Sequence, residues 1–185
     1  DTKYQANLGA GSYSGRYDRG HQLPAADRKC SQEMMDQTFF ATNMTPQGYS
    51  FNQKKWGALE GRVRGMICSD TLYVVTGAYF EGTHHSSIAS STTDKMGNKC
   101  PTPTYYYKAL LRTKSGKTGK SVMECKPSEL MCAAFIVPHR SAQGHKPTAK
   151  DMISIKELEE LTGIDLFANL RNAPEQSAEA KDWGL

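Results

Sequence analysis

Asp18-Arg19-Gly20-His21, followed by Thr42-Asn43-Met44 and then by Asn52, Trp56, Glu60 and Arg64, is the stretch on which the reading turns. It holds a candidate base, a neutral amide ligand, a carboxylate and two arginines within one short run. Those are the parts needed to cut a phosphodiester with one hard metal ion.

The last four members fall four residues apart, and four residues on a helix turn through about 400°, so they stack on nearly one face. Ser50 followed by Gln53 has capping-box spacing and predicts a helix starting near Phe51 and running to about residue 67. Trp56, Leu59, Val63, Met66 and Ile67 form its apolar stripe, with Asn52, Glu60 and Arg64 along the border. Taken alone, this helix reads as an ordinary amphipathic one carrying a favourable Glu60–Arg64 surface pair. The upstream tetrapeptide reverses that reading.

Together the blocks resemble the DNA/RNA non-specific endonucleases of the ββα-metal class, which include endonuclease G and secreted bacterial nucleases. The resemblance rests on Asp18-Arg19-Gly20-His21, Pro24-Ala25-Ala26-Asp27, Thr42-Asn43-Met44 with Pro46-Gln47, and Asn52 with Trp56, Leu59, Glu60 and Arg64. Weaker matches follow at Val74-Val75-Thr76-Gly77, Tyr107-Lys108, 134–138 and 155–165, so it spans about residues 13 to 168. It implies an α+β fold, a mixed or antiparallel sheet flanked by helices, with a ββα active-site motif. It implies a sugar-non-specific endonuclease acting on DNA and RNA.

The chemistry accounts for the residue types. Phosphodiester charge repels hydroxide, so the nucleophile must be made in place. An imidazole can take a proton from water near neutral pH, which makes His21 the candidate base. Gly20 removes a side chain beside it and is expected to let substrate backbone approach. The metal expected is Mg²⁺, with Mn²⁺ or Ca²⁺ able to stand in, because hard cations prefer oxygen ligands and keep several waters. The resemblance implies Asn52 as the one direct ligand and Glu60 as a partner acting through water. Arg19 and Arg64 can fork onto phosphate oxygens. Asn43 is assigned to fixing a turn or to orienting His21 and the metal shell, and Asp18 to anchoring the strand–loop geometry, with a place near the metal as its alternative.

The 185 residues suit one nuclease domain, with a core over about 13–168 and a polar, loosely held tail over 172–185 in which Trp183 could dock. The formal charge of +4 suits a polyanionic substrate without demonstrating one. No run of about 18 apolar residues predicts a membrane span. The chain opens at Asp1 without Met, which reads as a mature or trimmed product. Five cysteines (Cys30, Cys68, Cys100, Cys125, Cys132) fit a secreted or periplasmic protein with one or two disulfides, with reduced core cysteines as the alternative. A zinc site is disfavoured, because no Cys-x-x-Cys occurs and His84-His85 lie in a Ser/Thr-rich loop. The run Lys114 to Ser121 imitates a phosphate-binding loop but has Lys114 where the first glycine belongs, so it reads as a hairpin turn with a lysine-rich tip.

Elsewhere the pattern predicts a short helix near 31–37 and strands at 72–80, 104–113, 120–126 and 132–138, the first of them central. A basic, polar loop follows at 139–151. A second helix opens on the Ser154–Glu157 capping box and stops at Gly163. Family members carry several strands ahead of the Asp-Arg-Gly-His block, whereas only 17 residues precede it here. A preceding fragment or a second chain would then complete the sheet; otherwise its edge is raw. Two further readings stand beside the nuclease: a nucleic-acid or protein binding module that keeps the fold without turnover, and a metal phosphodiesterase for small molecules. The intact His21, Asn52, Glu60 and Arg64 favour the nuclease.

Overall fold

The computed structural model describes residues 6–8, 13–80, 90–139, 144–170 and 173–185. His84 and His85 lie outside the described residues. The fold is α+β with antiparallel strand pairing. Strand β1 (Tyr17–His21) is followed by helix α1 (Gln32–Gln37), whose first turn is capped by the Ser31 hydroxyl accepting from the Met34 N–H. Strand β2 (Met44–Gly48) then pairs antiparallel with β1, Gly20 opposite Thr45 and His21 opposite Met44. A π-helical turn (Phe51–Trp56) leads into helix α2 (Gly57–Arg64), completing a strand–strand–helix unit.

Strands β3 (Tyr73–Tyr79), β4 (Ser91–Thr93), β5 (Lys99–Pro101), β6 (Tyr105–Thr113), β7 (Leu130–Pro138) and β8 (Met152–Ile153) follow. β3, β6, β7 and β8 form one sheet in the order 3-6-7-8, and β4 pairs with β5. Helix α3 (Ile155–Thr162) has both limbs of its Ser154–Glu157 capping box, and Gly163 ends it at φ 70°, a left-handed turn that favours glycine.

The chain divides into two compact units: 1–60 with 77–106 and 138–146, and 61–76 with 107–137 and 147–185. In the first, Phe51 stacks on Trp56 at 5.6 Å, and Tyr106 meets both rings at 5.2 and 5.4 Å. All three are buried, and such ring pairs add roughly 0.5–1.5 kcal/mol each beyond their buried area. In the second, alternate residues of β6 (Tyr107, Ala109, Leu111) and β7 (Leu130, Cys132, Ala134) pack with Ile155 and Leu158 of α3. Trp183 docks, 4% exposed, and Arg62 Nη1 donates to the carbonyls of Trp183 and Gly184.

Several expectations are corrected. Ser50 is helical and makes no capping bond, and Asn52 and Trp56 lie in a π turn. There the Gly57 N–H reaches back five residues to the Asn52 carbonyl, so the four-residue arithmetic of a regular helix does not hold across that turn. The apolar stripe ends at Val63, because α2 stops at Arg64 and Ile67 lies 70% exposed beyond it. Among the described residues the run 72–78 is an edge strand rather than a central one, with Tyr73, Val74 and Val75 all exposed.

The stretch 120–126 holds a 3₁₀ turn (Val122–Glu124), not a strand. The preceding lysine-rich turn is gathered by Asp70, which accepts from the Thr113 and Thr118 hydroxyls and the Thr118 and Gly119 N–H groups. That coordination shapes the segment without strand pairing and holds the Asp70 carboxyl well below the usual range. No two of the five cysteines are bonded to one another, so the disulfides expected of a secreted protein are absent. Among the described residues no helix is long and apolar enough to cross a membrane.

Candidate active site

His21 ends β1. Phe39 meets the imidazole edge-on at 4.8 Å. Partial burial lowers the His21 pKa, and the Arg19 guanidinium two residues earlier lowers it further; the Arg19 backbone works the other way. Nε2 is buried and has no hydrogen-bond partner among the described residues. The ring is therefore biased toward the neutral form.

The turn after His21 is clamped by Asn43. Its Oδ1 accepts from the Leu23 N–H, its Nδ2 donates to the carbonyls of Leu23 and Thr38, and its own carbonyl accepts from the Gln22 N–H. The side chain is wholly engaged with backbone.

Asn52 is tied to the same strand. Its Nδ2 donates to Asp18 Oδ2 at 2.9 Å, and Gln53 Nε2 donates to the same oxygen at 3.0 Å. A carboxylate only accepts, so the amide nitrogen of Asn52 must face it and the carbonyl oxygen must face away. That oxygen receives no hydrogen bond from any described residue. Asn52 thus presents a neutral, oriented oxygen of the kind a hard cation takes. Among the described residues no group of three or more His, Cys, Asp and Glu side chains could hold a metal ion. Glu60 and Arg64 lie one turn apart on α2.

Gly20 is needed for a reason other than the one expected. A Cβ there would run into the Gln47 side chain, which fills the space above it. Gln47 is 0% exposed, and its amide faces the Tyr106 hydroxyl without completing a hydrogen bond of good geometry. The glycine makes room for this side chain, not for substrate backbone. Beneath the strand pair, Gln22 Nε2 donates to Thr45 Oγ1, Thr45 Oγ1 to the Tyr106 hydroxyl, and Tyr106 to the Pro46 carbonyl.

His139 was passed over as the first residue of a polar loop. Its Nδ1–H donates to the Pro103 carbonyl at 2.8 Å, and its Nε2 accepts from the Gly48 N–H at 2.7 Å. Phe51 and Tyr106 pack edge-on against the ring, and burial lowers its pKa. The signal in the sequence was thin: one histidine behind Pro138 at a strand end.

The family model for DNA/RNA non-specific endonucleases matches residues 1–173. The chain belongs to that family. It is 33% identical over 167 residues to a nuclease of Syncephalastrum racemosum, covering 85% of this chain and 49% of that protein. It is 32% identical over 172 residues to a mitochondrial nuclease 1 of Schizosaccharomyces pombe, covering 90% and 51%. Human mitochondrial endonuclease G is 26% identical over 159 residues, covering 83% and 49%. A crystal structure of the EndoG/EndoGI complex superimposes with TM-score 0.66 at 25% identity, covering 88% of this chain and 63% of that one. The chain spans about half the length of these curated relatives. The expectation of a secreted or periplasmic location is overturned, because the fission-yeast and human relatives are named as mitochondrial proteins.

Two outcomes follow from this geometry. Gly20→Ala should cost about 1–3 kcal/mol in urea unfolding, as overpacking does. Adding Gln47→Gly should recover part of the loss, and a Gly20→Ala protein as stable as the parent would refute the packing argument. His139 and His21 both have pKa values lowered by folding, so their contribution is complete above about pH 6.5 and drains as pH falls below it. His139→Gln should flatten, without abolishing, the fall of melting temperature below pH 6.5.

Proposed function

We propose that this chain hydrolyses phosphodiester bonds in both DNA and RNA, with His21 as general base and one Mg²⁺-like cation held by Asn52. The observation that carries the reading is the Asp18–Asn52 hydrogen bond, which commits the amide nitrogen and leaves the carbonyl oxygen to a ligand. When bound, the cation would stabilise charge on the phosphate and on the leaving oxygen. Glu60 would act on it through water.

His21 takes a proton from water as the water oxygen bonds to phosphorus. The bond from phosphorus to the 3′ oxygen breaks, and that oxygen takes up a proton. Arg19 and Arg64 contact phosphate oxygens, and Asn43 holds the turn that aims His21. Phosphate contacts position a strand without reading its sequence, so cleavage is weakly selective and weakens steeply with salt. The mitochondrial names of two relatives support a mitochondrial location for this chain.

Digestion of plasmid and RNA by the purified chain, with Mg²⁺ and with chelator, tests the whole reading. Loss of activity should accompany chelation. A single tight recognition sequence, or refusal of either polymer, would sink it.

His21→Ala should lower turnover by about 10²–10⁴-fold while nucleic-acid binding persists. The base must be unprotonated, so kcat/KM should rise with pH through a value below about 6.5 and then level off. Arg19→Gln removes the cation that depresses His21, so this acid limb should move to higher pH. An unmoved limb would show that the titrating group is not His21.

Asn52→Ala should abolish metal binding measured by calorimetry, and Glu60→Ala should only weaken it. Equal losses, or undiminished binding in Asn52→Ala, would overturn the ligand assignment.

A further inference from the structure

Asn52 can aim its carbonyl oxygen only if its backbone is as fixed as its side chain. The bond to Asp18 holds the side chain. The chain leading into Asn52 is held by other residues, and its contacts converge on His139.

Three residues ahead of Asn52 are fastened in turn. The Tyr106 hydroxyl donates to the Pro46 carbonyl at 2.9 Å. His139 Nε2 accepts from the Gly48 N–H at 2.7 Å. The Phe51 ring meets the His139 ring edge-on at 4.9 Å and lies 5.2 Å from the Tyr106 ring. Phe51 is 2% exposed and is the residue immediately before Asn52. Tyr106 and His139 also meet edge-on, at 5.2 Å, so the three contacts share one base.

His139 is itself firmly placed. Its backbone N–H donates to the Thr104 carbonyl at 2.7 Å, and its Nδ1–H donates to the Pro103 carbonyl at 2.8 Å. With Nδ1 committed as donor, Nε2 keeps its lone pair for Gly48. All of these residues lie in the first unit, as Asn52 and Asp18 do. A π turn is rare, so the one carrying Asn52 depends on contacts outside itself. It opens at Phe51, the ring packed on His139.

We infer that His139 is a positioning residue for Asn52, fixing the backbone from which that side chain meets the cation. The inference rests on the metal assignment proposed above. No contact with substrate is asked of His139, so its loss should be felt in cation affinity and turnover and not in the hold on nucleic acid.

The test compares two substitutions in the full chain. His139→Leu keeps an apolar body against Phe51 and Tyr106 but removes both ring nitrogens. His139→Gln restores an acceptor for Gly48. In metal-free protein studied by NMR, His139→Leu should speed exchange of the Gly48 amide. It should also shift the Asn52 side-chain amide signals, which are identified by their loss in Asn52→Ala. In calorimetry with Mg²⁺, His139→Leu should bind about 10–100-fold more weakly. Turnover at limiting Mg²⁺ should fall with it, while KM for a DNA oligonucleotide is unchanged. His139→Gln should recover most of each loss. Val122→Ala truncates the core of the second unit and should lower stability while binding Mg²⁺ as the parent does. If His139→Leu fails to fold, Phe51→Leu stands in for it, since it keeps both hydrogen bonds, removes the ring contact and should also weaken Mg²⁺ binding. Parent-like Mg²⁺ binding and Asn52 signals in His139→Leu, or in Phe51→Leu where it stands in, would overturn the inference. So would an equal loss in His139→Gln or in Val122→Ala. If the parent binds no Mg²⁺ and cuts nothing, the metal assignment fails, and the metal-free Asn52 signals still decide whether His139 positions that residue.

Discussion

One carboxylate oxygen of Asp18 accepts from Asn52 and Gln53 together, and the chemistry of the site depends on that fork. An asparagine free to rotate offers a cation either a nitrogen or an oxygen. Once its nitrogen faces a carboxylate, only the oxygen is left to offer. The same bonds fix the first residues of the π turn against β1, the strand that ends in His21. Orientation of the candidate ligand and placement of the candidate base therefore come from one strand. The π turn belongs to this logic, since its five-residue reach alters the phase with which Asn52 leaves the helix.

Around that fork the packing is tight in a specific way. Gln47 lies fully buried where Gly20 lacks a side chain, and the Gln22–Thr45–Tyr106 chain of hydrogen bonds also secures β2. His139 binds the last residue of β2 through a nitrogen that must remain unprotonated. Acid would thus disturb the scaffold and protonate the candidate base in the same pH range, because burial is the first cause of the lowered pKa at both histidines.

Much of this was legible in the sequence where local physics decides. Ser154, Glu157 and Gly163 delimit α3 through bonds confined to its own ends, and the apolar runs at 105–113 and 130–138 are strands because both faces are buried. Asp-Arg-Gly-His and Asn52 were identifiable as chemistry. What escaped were the features set by distant partners. Nothing near Ser50 announces a π turn. The β-branched run at 73–75 looks central until its neighbours are known, and only the fold reveals that Gly20 serves Gln47 or that His139 faces Gly48. Cysteine number misled for the same reason, since pairing depends on geometry that a count cannot supply.

Net charge is a poorer guide to the site than it first seems. The chain has 23 basic and 19 acidic residues, an excess of four. Residues 112–126 alone carry five basic residues (Arg112, Lys114, Lys117, Lys120, Lys126) against one acidic residue, Glu124. That stretch accounts for the whole excess, so the other 170 residues are neutral in sum. Even there the charge is partly answered, by Asp70 beneath the turn and by Glu129, 3.4 Å from Lys120. Net charge therefore says little about the candidate active site, whose proposed contacts to phosphate are Arg19, Arg64 and the cation that Asn52 would hold.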